Sequence, residues 1–321
     1  MDNLLSAWQE FIRDKRNKPD VQLFQLNLMD NLIQLHEDLR NLTYKHGEYK
    51  SFRINDPKPR HIHKATVRDR IVHRAIYRIL YPFFQKTFIA DSFSCQINKG
   101  THKALNRFRA FGYKASHNNT KTCWILKCDI RKFFDNIDHQ ILKNILNLYI
   151  SDEKIRWLLN CVIGSFRKEE RIEIGLPLGN LTSQLFVNIY MNEFDQFVKH
   201  RLKLKHYIRY ADDFVVFSEN RDWLGSLIPI IREFLENKLK LQLHPKKVSI
   251  ETLAFGVDFL GWVHFTDHRV LRAATRRRMM ARIAEDPRPE VIQSYLGLIS
   301  HGEGYKLGGF IYRILRQKAS E

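Results

Sequence analysis

Cysteine is scarce in this chain. Cys95, Cys123, Cys128 and Cys161 are its four thiols, and no two stand in C-x-x-C spacing, so neither a zinc module nor a disulfide framework is encoded. A reducing, intracellular setting is the simplest expectation. His61 and His63 form an H-x-H pair without a third ligand nearby, which falls short of a zinc site. No apolar run approaches the roughly 20 residues needed to span a bilayer, and the opening MDNLLSAWQEFIRDKR lacks the order of a signal peptide. A soluble, cytoplasmic protein with no membrane partner is expected. Internal repeats and low-complexity segments are absent. Acidic residues are in deficit, 35 Asp plus Glu against 53 Lys plus Arg, for a formal charge of +18. An excess that large favours a polyanionic partner, nucleic acid first, because neutralising phosphates releases condensed counterions.

What is present is ample core material, 44% hydrophobic and 12% aromatic over 321 residues, enough for two domains or one elongated one. Residues 1–43 carry two helical stripes, Leu4, Leu5, Trp8, Phe11, Ile12 and then Leu28, Leu32, Leu35, Leu39, Leu42, and read as core-facing helices without chemistry. From Tyr44 to Ile54 the pattern is extended. The loop Asn55-Asp56-Pro57-Lys58-Pro59-Arg60 follows, able to present Lys58 and Arg60 to a phosphate. A helix over Thr66–Leu80 turns Val67, Ile71, Ala75, Ile76 and Ile79 inward and Arg68, Arg70, Arg74 and Arg78 outward, with Pro82 ending it. Gly100–Phe111 reads as a short basic helix. Gly175–Asn180 is a Gly/Pro loop opening a long helix from Leu181 to Leu202, and Asn220–Lys240 is a helix interrupted by Pro229. Lys246-Lys247 and the apolar segment Phe255–Phe265 come next. From Arg269 the composition turns to arginine, which puts a boundary near 268 and divides the chain into 1–43, 44–268 and 269–321.

The chemistry sits on acids at strand ends. In HYIRYADDFVVFS, residues 206–218, two β-rich runs flank Ala211-Asp212-Asp213 and read as a hairpin with two carboxylates at its tip. Asp-Asp is a favoured turn pair in itself. Upstream, however, the buried strand Cys123–Cys128 stops at Asp129, ahead of a helix that Asp138 caps. If folding brings Asp129 to the hairpin tip, three acids share one site. Anions clustered on apolar strands are costly without a cation, and the usual occupant is a hard divalent ion.

Taken in order, Asp129–Phe134, the string GLPLGNLTSQLFVNIY, Tyr210-Ala211-Asp212-Asp213, Lys246-Lys247 and Phe259-Leu260-Gly261-Trp262 resemble the reverse transcriptase motif series over about residues 44–265, nearest to the group II intron lineage. Intron enzymes carry QG-x-x-x-SP where this chain has Leu178-Gly179-Asn180-Leu181-Thr182-Ser183-Gln184. An aliphatic-Gly-x-x-x-Ser-Gln string is similar to the reverse transcriptases of diversity-generating retroelements, and the short segment after 268 leaves no room for maturase or endonuclease regions. The resemblance implies an α+β right-hand polymerase, with fingers and palm built on an antiparallel sheet flanked by helices and a short helical thumb. It implies RNA-directed DNA synthesis with two Mg²⁺ ions, Mn²⁺ substituting, held by Asp129, Asp212 and Asp213 with Ile130 beside them. Lys58 and Arg60 would clamp the triphosphate, Phe134 would act as steric gate, and Leu178, Gly179 and Gln184 would line the nucleotide. Lys247, or Lys246, would protonate pyrophosphate. Arg68, Arg70, Arg74, Phe259, Gly261, Arg272, Arg276 and Arg277 would hold nucleic acid. Because a Leu at 178 offers no hydrogen bond beside the nascent pair, error-prone copying is expected, and the family implies errors at template adenines. Implied partners are a template RNA, a DNA primer, deoxynucleoside triphosphates and a small basic accessory protein oligomer, in a bacterial, archaeal or phage-encoded system. The alternatives are another group II-like or antiviral-type reverse transcriptase, and an inactive polymerase-like RNA-binding protein.

Overall fold

The computed structural model describes residues 1–55, 59–166, 173–305 and 307–311. The chain opens with helices α1 (Asp2–Phe11), α2 (Pro19–Leu26) and α3 (Leu28–Arg40), whose Trp8, Phe11, Leu32 and Leu35 are buried as their stripe requires. Strands β1 (Lys50–Ile54) and β2 (Arg60–Lys64) then pair as an antiparallel hairpin in which Ile54 faces Arg60. Lys58 lies outside the described residues. Thr66 caps α4 (Val67–Phe84) by accepting from the Asp69 amide at 3.2 Å.

Pro82 does not end that helix. It sits exposed in the last turn, where only the Arg78 carbonyl loses its partner and water can replace it. The same correction applies to Pro229 in α9 (Arg221–Leu239), which runs without a break. The residue four before it is Gly225, which has no side chain and open space around its Cα, while Leu224, Leu227, Ile231 and Leu235 stay buried on the other face.

Between these come α5 (Thr101–Ala115), β3 (Trp124–Asp129), α6 (His139–Tyr149), α7 (Glu153–Gly164), α8 (Leu181–Gln196), β4 (Tyr207–Tyr210) and β5 (Asp213–Ser218). Asp138 caps α6 as read, accepting from the Ile141 amide at 2.9 Å. The helix from Leu181 stays α-helical to Gln196 and widens into a π-type turn over Phe197–Arg201. Buried nearly all round, α8 is the central helix of the larger core.

With β6 (Ser249–Thr252), the central sheet has the order β4-β5-β3-β6, all antiparallel. Alternate side chains divide it between two cores. Leu126, Cys128, Phe214 and Val216 face the core shared with α8 and α9, and Ile125, Val215 and Phe217 face that shared with α5. Strands β7 (Val257–Phe259), β8 (Trp262–His264) and β9 (Arg269–Leu271) form a second sheet, so pairing continues across position 268. Helices α10 (Ala273–Glu285) and α11 (Pro289–Ile299) follow and pack, among the described residues, around a small core of Met279, Ile283, Ile292, Ile299 and Ile311. Among the described residues no helix is long and apolar enough to cross a membrane.

Candidate active site

The central sheet brings the three acids together by register. Asp129, the last residue of β3, pairs directly with Asp213, the first of β5. Asp212 stands in the turn before it, where Ala211 takes the left-handed conformation at φ 56° that so tight a reversal needs. The Ile130 amide donates to the Asp212 carbonyl at 3.3 Å, tying the turn to the end of β3. Asp213 shares a hydrogen bond with Asp129 and is pushed up to about 7, by burial first and then by the charges of Asp212 and Asp129. Asp212 is raised as well, again by burial first, while Lys247 and Arg60 draw it back. Lys247 Nζ donates to Asp129 Oδ2 at 2.9 Å. Among the described residues, no three His, Cys, Asp or Glu side chains stand at metal-ligand separations. The acids are adjacent, and the Lys247 ammonium offsets part of their charge.

Local hydrogen bonds position that lysine. The His244 amide donates to the Asp129 carbonyl at 2.7 Å, and the Lys247 amide to the His244 carbonyl at 3.1 Å, so the segment after α9 is pinned beside the end of β3. Of the two lysines, it is Lys247 that reaches the acids.

Behind the hairpin lies a network that sequence reasoning missed. Arg209 is fully buried and forks onto Asp195, with Nε to Oδ1 at 2.8 Å and Nη2 to Oδ2 at 2.6 Å, while the Tyr207 hydroxyl donates to Asp195 Oδ1 at 2.8 Å. Arg209 Nη1 donates at 3.1 Å to the carbonyl of Ala211, inside the acid-bearing turn. An Arg in the middle of the apolar run YIRY, with an Asp inside an otherwise buried helix, was the available signal.

The Gly loop closes the site from the other side. The His63 amide donates to the Leu178 carbonyl at 3.0 Å, and Asn180 Nδ2 to the His63 carbonyl at 2.7 Å, so the loop is laced to the hairpin that carries Arg60. Gly179 is required there: its φ is +105°, and a Cβ would stand 2.8 Å from Ile62 Cγ2. Leu178 and Gln184 are half-buried. Phe134 is half-buried, its ring edge-on to Phe133 at 5.6 Å, and its carbonyl accepts from the Leu176 amide at 2.8 Å. Acids, lysine, Arg60 and the Gly loop are therefore parts of one neighbourhood.

The family model for reverse transcriptase (RNA-dependent DNA polymerase) matches residues 50–264. The chain belongs to this family. The chain is 26% identical over 261 residues to Protein YkfC of Escherichia coli K12, an alignment covering 69% of this chain and 66% of that protein. It is 26% identical over 294 residues to the group II intron-encoded protein LtrA of Lactococcus lactis subsp. cremoris, covering 70% of this chain and 47% of LtrA. The chain thus spans less than two thirds of the length of either relative. Among solved structures, telomerase of Candida albicans in complex with a TWJ fragment of telomeric RNA superposes with a TM-score of 0.56 at 11% identity, covering 86% of this chain and 55% of that one. Truncated apo telomerase of Candida tropicalis gives 0.52 at 14% identity, covering 76% and 60%. At such identities the likeness is one of fold, and the α+β right-hand arrangement expected from the motif series is observed.

Several of the expected nucleic-acid contacts need correction. Arg68, Arg70 and Arg74 do not face outward. Arg68 pairs with Asp38 at 2.5 Å, Arg70 with Asp20 at 2.5 Å and Arg74 with Glu10 at 3.8 Å, because α1–α3 pack over that face of α4 and bring acids to it. Phe259 is buried and stacked on Phe108 at 5.2 Å, a core side chain out of reach of a strand. Gly261 instead forms, with Leu260, the two-residue turn between β7 and β8, both in the left-handed region at φ 86° and 51°. Arg272 is half-buried and paired with Asp258 at 2.7 Å, whereas Arg276 and Arg277 are exposed on α10.

Proposed function

We propose that this protein is the RNA-directed DNA polymerase of a diversity-generating retroelement, extending a DNA primer on a template RNA from deoxynucleoside triphosphates. The observation that carries the polymerase reading is the pairing of Asp129 with Asp213, with Asp212 in the adjoining turn. Oxygen-only donors suit hard divalent cations, Mg²⁺ or Mn²⁺. Asp213 is raised to about 7 by burial first and then by the charges of Asp212 and Asp129, and such cations would neutralise that charge. Asp129, Asp212 and Asp213 would hold them, beside the backbone of Ile130. When bound, the ions supply positive charge at the attacking and leaving oxygens.

The chain's own residues orient the reactants. The primer 3′-hydroxyl gives up its proton to solvent, its oxygen forms a bond to the α-phosphorus as the bond to the bridging oxygen of pyrophosphate breaks, and catalysis consists mainly of positioning and charge neutralisation. Arg60, whose charge already reaches Asp212, would clamp the triphosphate with Lys58. Lys247 is the cation nearest the acids and would provide the proton for pyrophosphate. Phe134 would exclude a ribose 2′-hydroxyl. Arg276 and Arg277, on a thumb from 269 onward, would grip duplex backbone, with fingers and palm spanning 44–268 behind the N-terminal helices of 1–43.

The retroelement reading rests on the string from Leu178 to Gln184, since a Leu at 178 contributes no side-chain hydrogen bond beside the base pair. The same reading brings a small basic accessory protein as partner, mutagenic retrohoming as the outcome and the cytoplasm as the location. Primer extension on an RNA template with Mg²⁺, with and without the accessory protein, tests the chemistry. Wild type should extend and Asp212→Ala should not; equal extension by both would overturn it. Leu178→Gln should lower errors opposite template adenines, and an unchanged error spectrum would remove the lineage argument.

A further inference from the structure

At the end of the central sheet opposite the acids lies a cleft of about 350 Å³, walled by the residues after α5, the loop into β4 and the start of α9. Asp213 and Ser218 are the two ends of β5, and at about 3.3 Å rise per residue this places the cleft roughly 17 Å from the carboxylates. It is therefore a separate site. Its walls carry Lys114, His117, Lys203, Lys205, His206 and Trp223.

The charge there is unbalanced. The carboxylate in the wall, Glu219, is already occupied by Lys121 at 2.7 Å and His117 at 3.6 Å. Lys114, Lys203 and Lys205 are exposed and form no ion pair among the described residues. The crowding of cations also registers on His206, which is held below the usual imidazole range by burial first and then by Lys114, Lys199 and Lys205. Trp223 adds an aromatic wall. It is 40% exposed on the first turn of α9, next to the buried Leu224, and lines the cleft.

Cations spaced around a concave cleft with one open aromatic face match a single nucleic-acid strand, which offers phosphates at regular intervals and a base to stack. The volume falls in the range of small-ligand pockets, wide enough for a nucleotide and too narrow for a duplex. A membrane surface would instead call for a flat or convex face with apolar side chains around the lysines. We infer that this cleft binds a single-stranded RNA segment, with Lys114, Lys203 and Lys205 on successive phosphates and a base stacked on Trp223. Such a site holds RNA at the far end of the sheet from the acids. It does not depend on the polymerase reading.

The test uses the full chain with its main groove saturated by an unlabelled hairpin primer-template, and follows the anisotropy of a labelled single-stranded oligoribonucleotide as salt is raised. Lys114→Gln/Lys203→Gln/Lys205→Gln should bind at least tenfold more weakly. The slope of log affinity against log salt should flatten by about 2, since single strands release about 0.7 counterion per phosphate contact. Trp223→Ala should lose about tenfold with little change in slope. The corresponding triple Arg variant should bind like wild type, and short-template extension should be unchanged throughout. Equal affinity and slope in a folded triple Gln variant would overturn the inference, as would binding of anionic phospholipid vesicles in place of RNA. If the triple variant does not fold, photo-crosslinking of thiouridine-bearing RNA to wild type decides. Adducts on the peptide carrying Trp223 support the site, and adducts confined to other peptides overturn it.

Discussion

Asp195→Asn should destabilise the protein out of proportion to so small a change. Asp195 is fully buried and accepts three hydrogen bonds, two from the guanidinium of Arg209 and one from Tyr207. An asparagine keeps one oxygen but turns an NH₂ toward Nη2, where the carboxylate oxygen stood at 2.6 Å, and leaves a buried guanidinium without its counter-charge. Breaking one side of a buried pair in this way costs about 3–5 kcal/mol. Replacing the whole network, Asp195→Leu/Arg209→Met/Tyr207→Phe, should recover most of that stability, since packed apolar side chains often equal a buried ion pair. It should not recover turnover, because the Arg209 bond to the Ala211 carbonyl, which steadies the turn bearing Asp212, is gone. The assay is urea unfolding at constant slope together with kcat and KM for primer extension. If Asp195→Asn unfolds within 1 kcal/mol of wild type, or the triple variant turns over at the wild-type rate, the argument that this network holds the hairpin is wrong.

Acid should weaken the fold through two histidines. His73 and His264 are buried, each has a ring nitrogen without a partner, and each is lowered to about 3, chiefly by burial. Between pH 6.5 and 3 the unfolded chain binds protons there that the folded chain does not, so stability falls as pH falls. By pH 5 each histidine should cost about 2 kcal/mol relative to pH 8, while the raised Asp213 shifts stability the other way over the same range; urea midpoints of wild type against His73→Gln and His264→Gln across that range isolate the histidines, and variants with the wild-type pH dependence would contradict it. Gly179→Ala should cost about 1–2 kcal/mol, since it meets both a positive φ and the methyl of Ile62. It should also raise KM for deoxynucleotides, and steady-state kinetics showing wild-type KM would count against a nucleotide role for the loop.

Much of this site was legible because its signals are local. The acid at the end of a β-rich run, the Asp-Asp turn, the Gly/Pro loop and the Asp138 cap are each dictated by neighbouring residues, and β3, β5 and α6 form where those patterns put them. What was misread depends on partners remote in sequence. Arg68, Arg70 and Arg74 have helical spacing consistent with an exposed face, and nothing local shows that Asp38, Asp20 and Glu10 come to cover it. Phe259 lies beside a turn, yet α5 supplies the ring that buries it. Pro82 and Pro229 are helix breakers by local rule, tolerated because one sits in a final turn and the other follows a glycine by four residues on the solvent side. Arg209 and Asp195 were each out of place in an apolar setting, but that they pair with one another becomes evident only when β4 packs against α8.

The central claim is that Asp129, Asp212 and Asp213 share a divalent-cation site. Iron(II) with ascorbate cleaves backbone beside the place where it binds, so the fragments map that site directly and without reference to activity. Cuts near 129–130 and 211–213 are expected, which Mg²⁺ competes away and which Asp129→Ala or Asp212→Ala abolishes. Cleavage elsewhere only, or cuts at these positions that survive both substitutions, would contradict it.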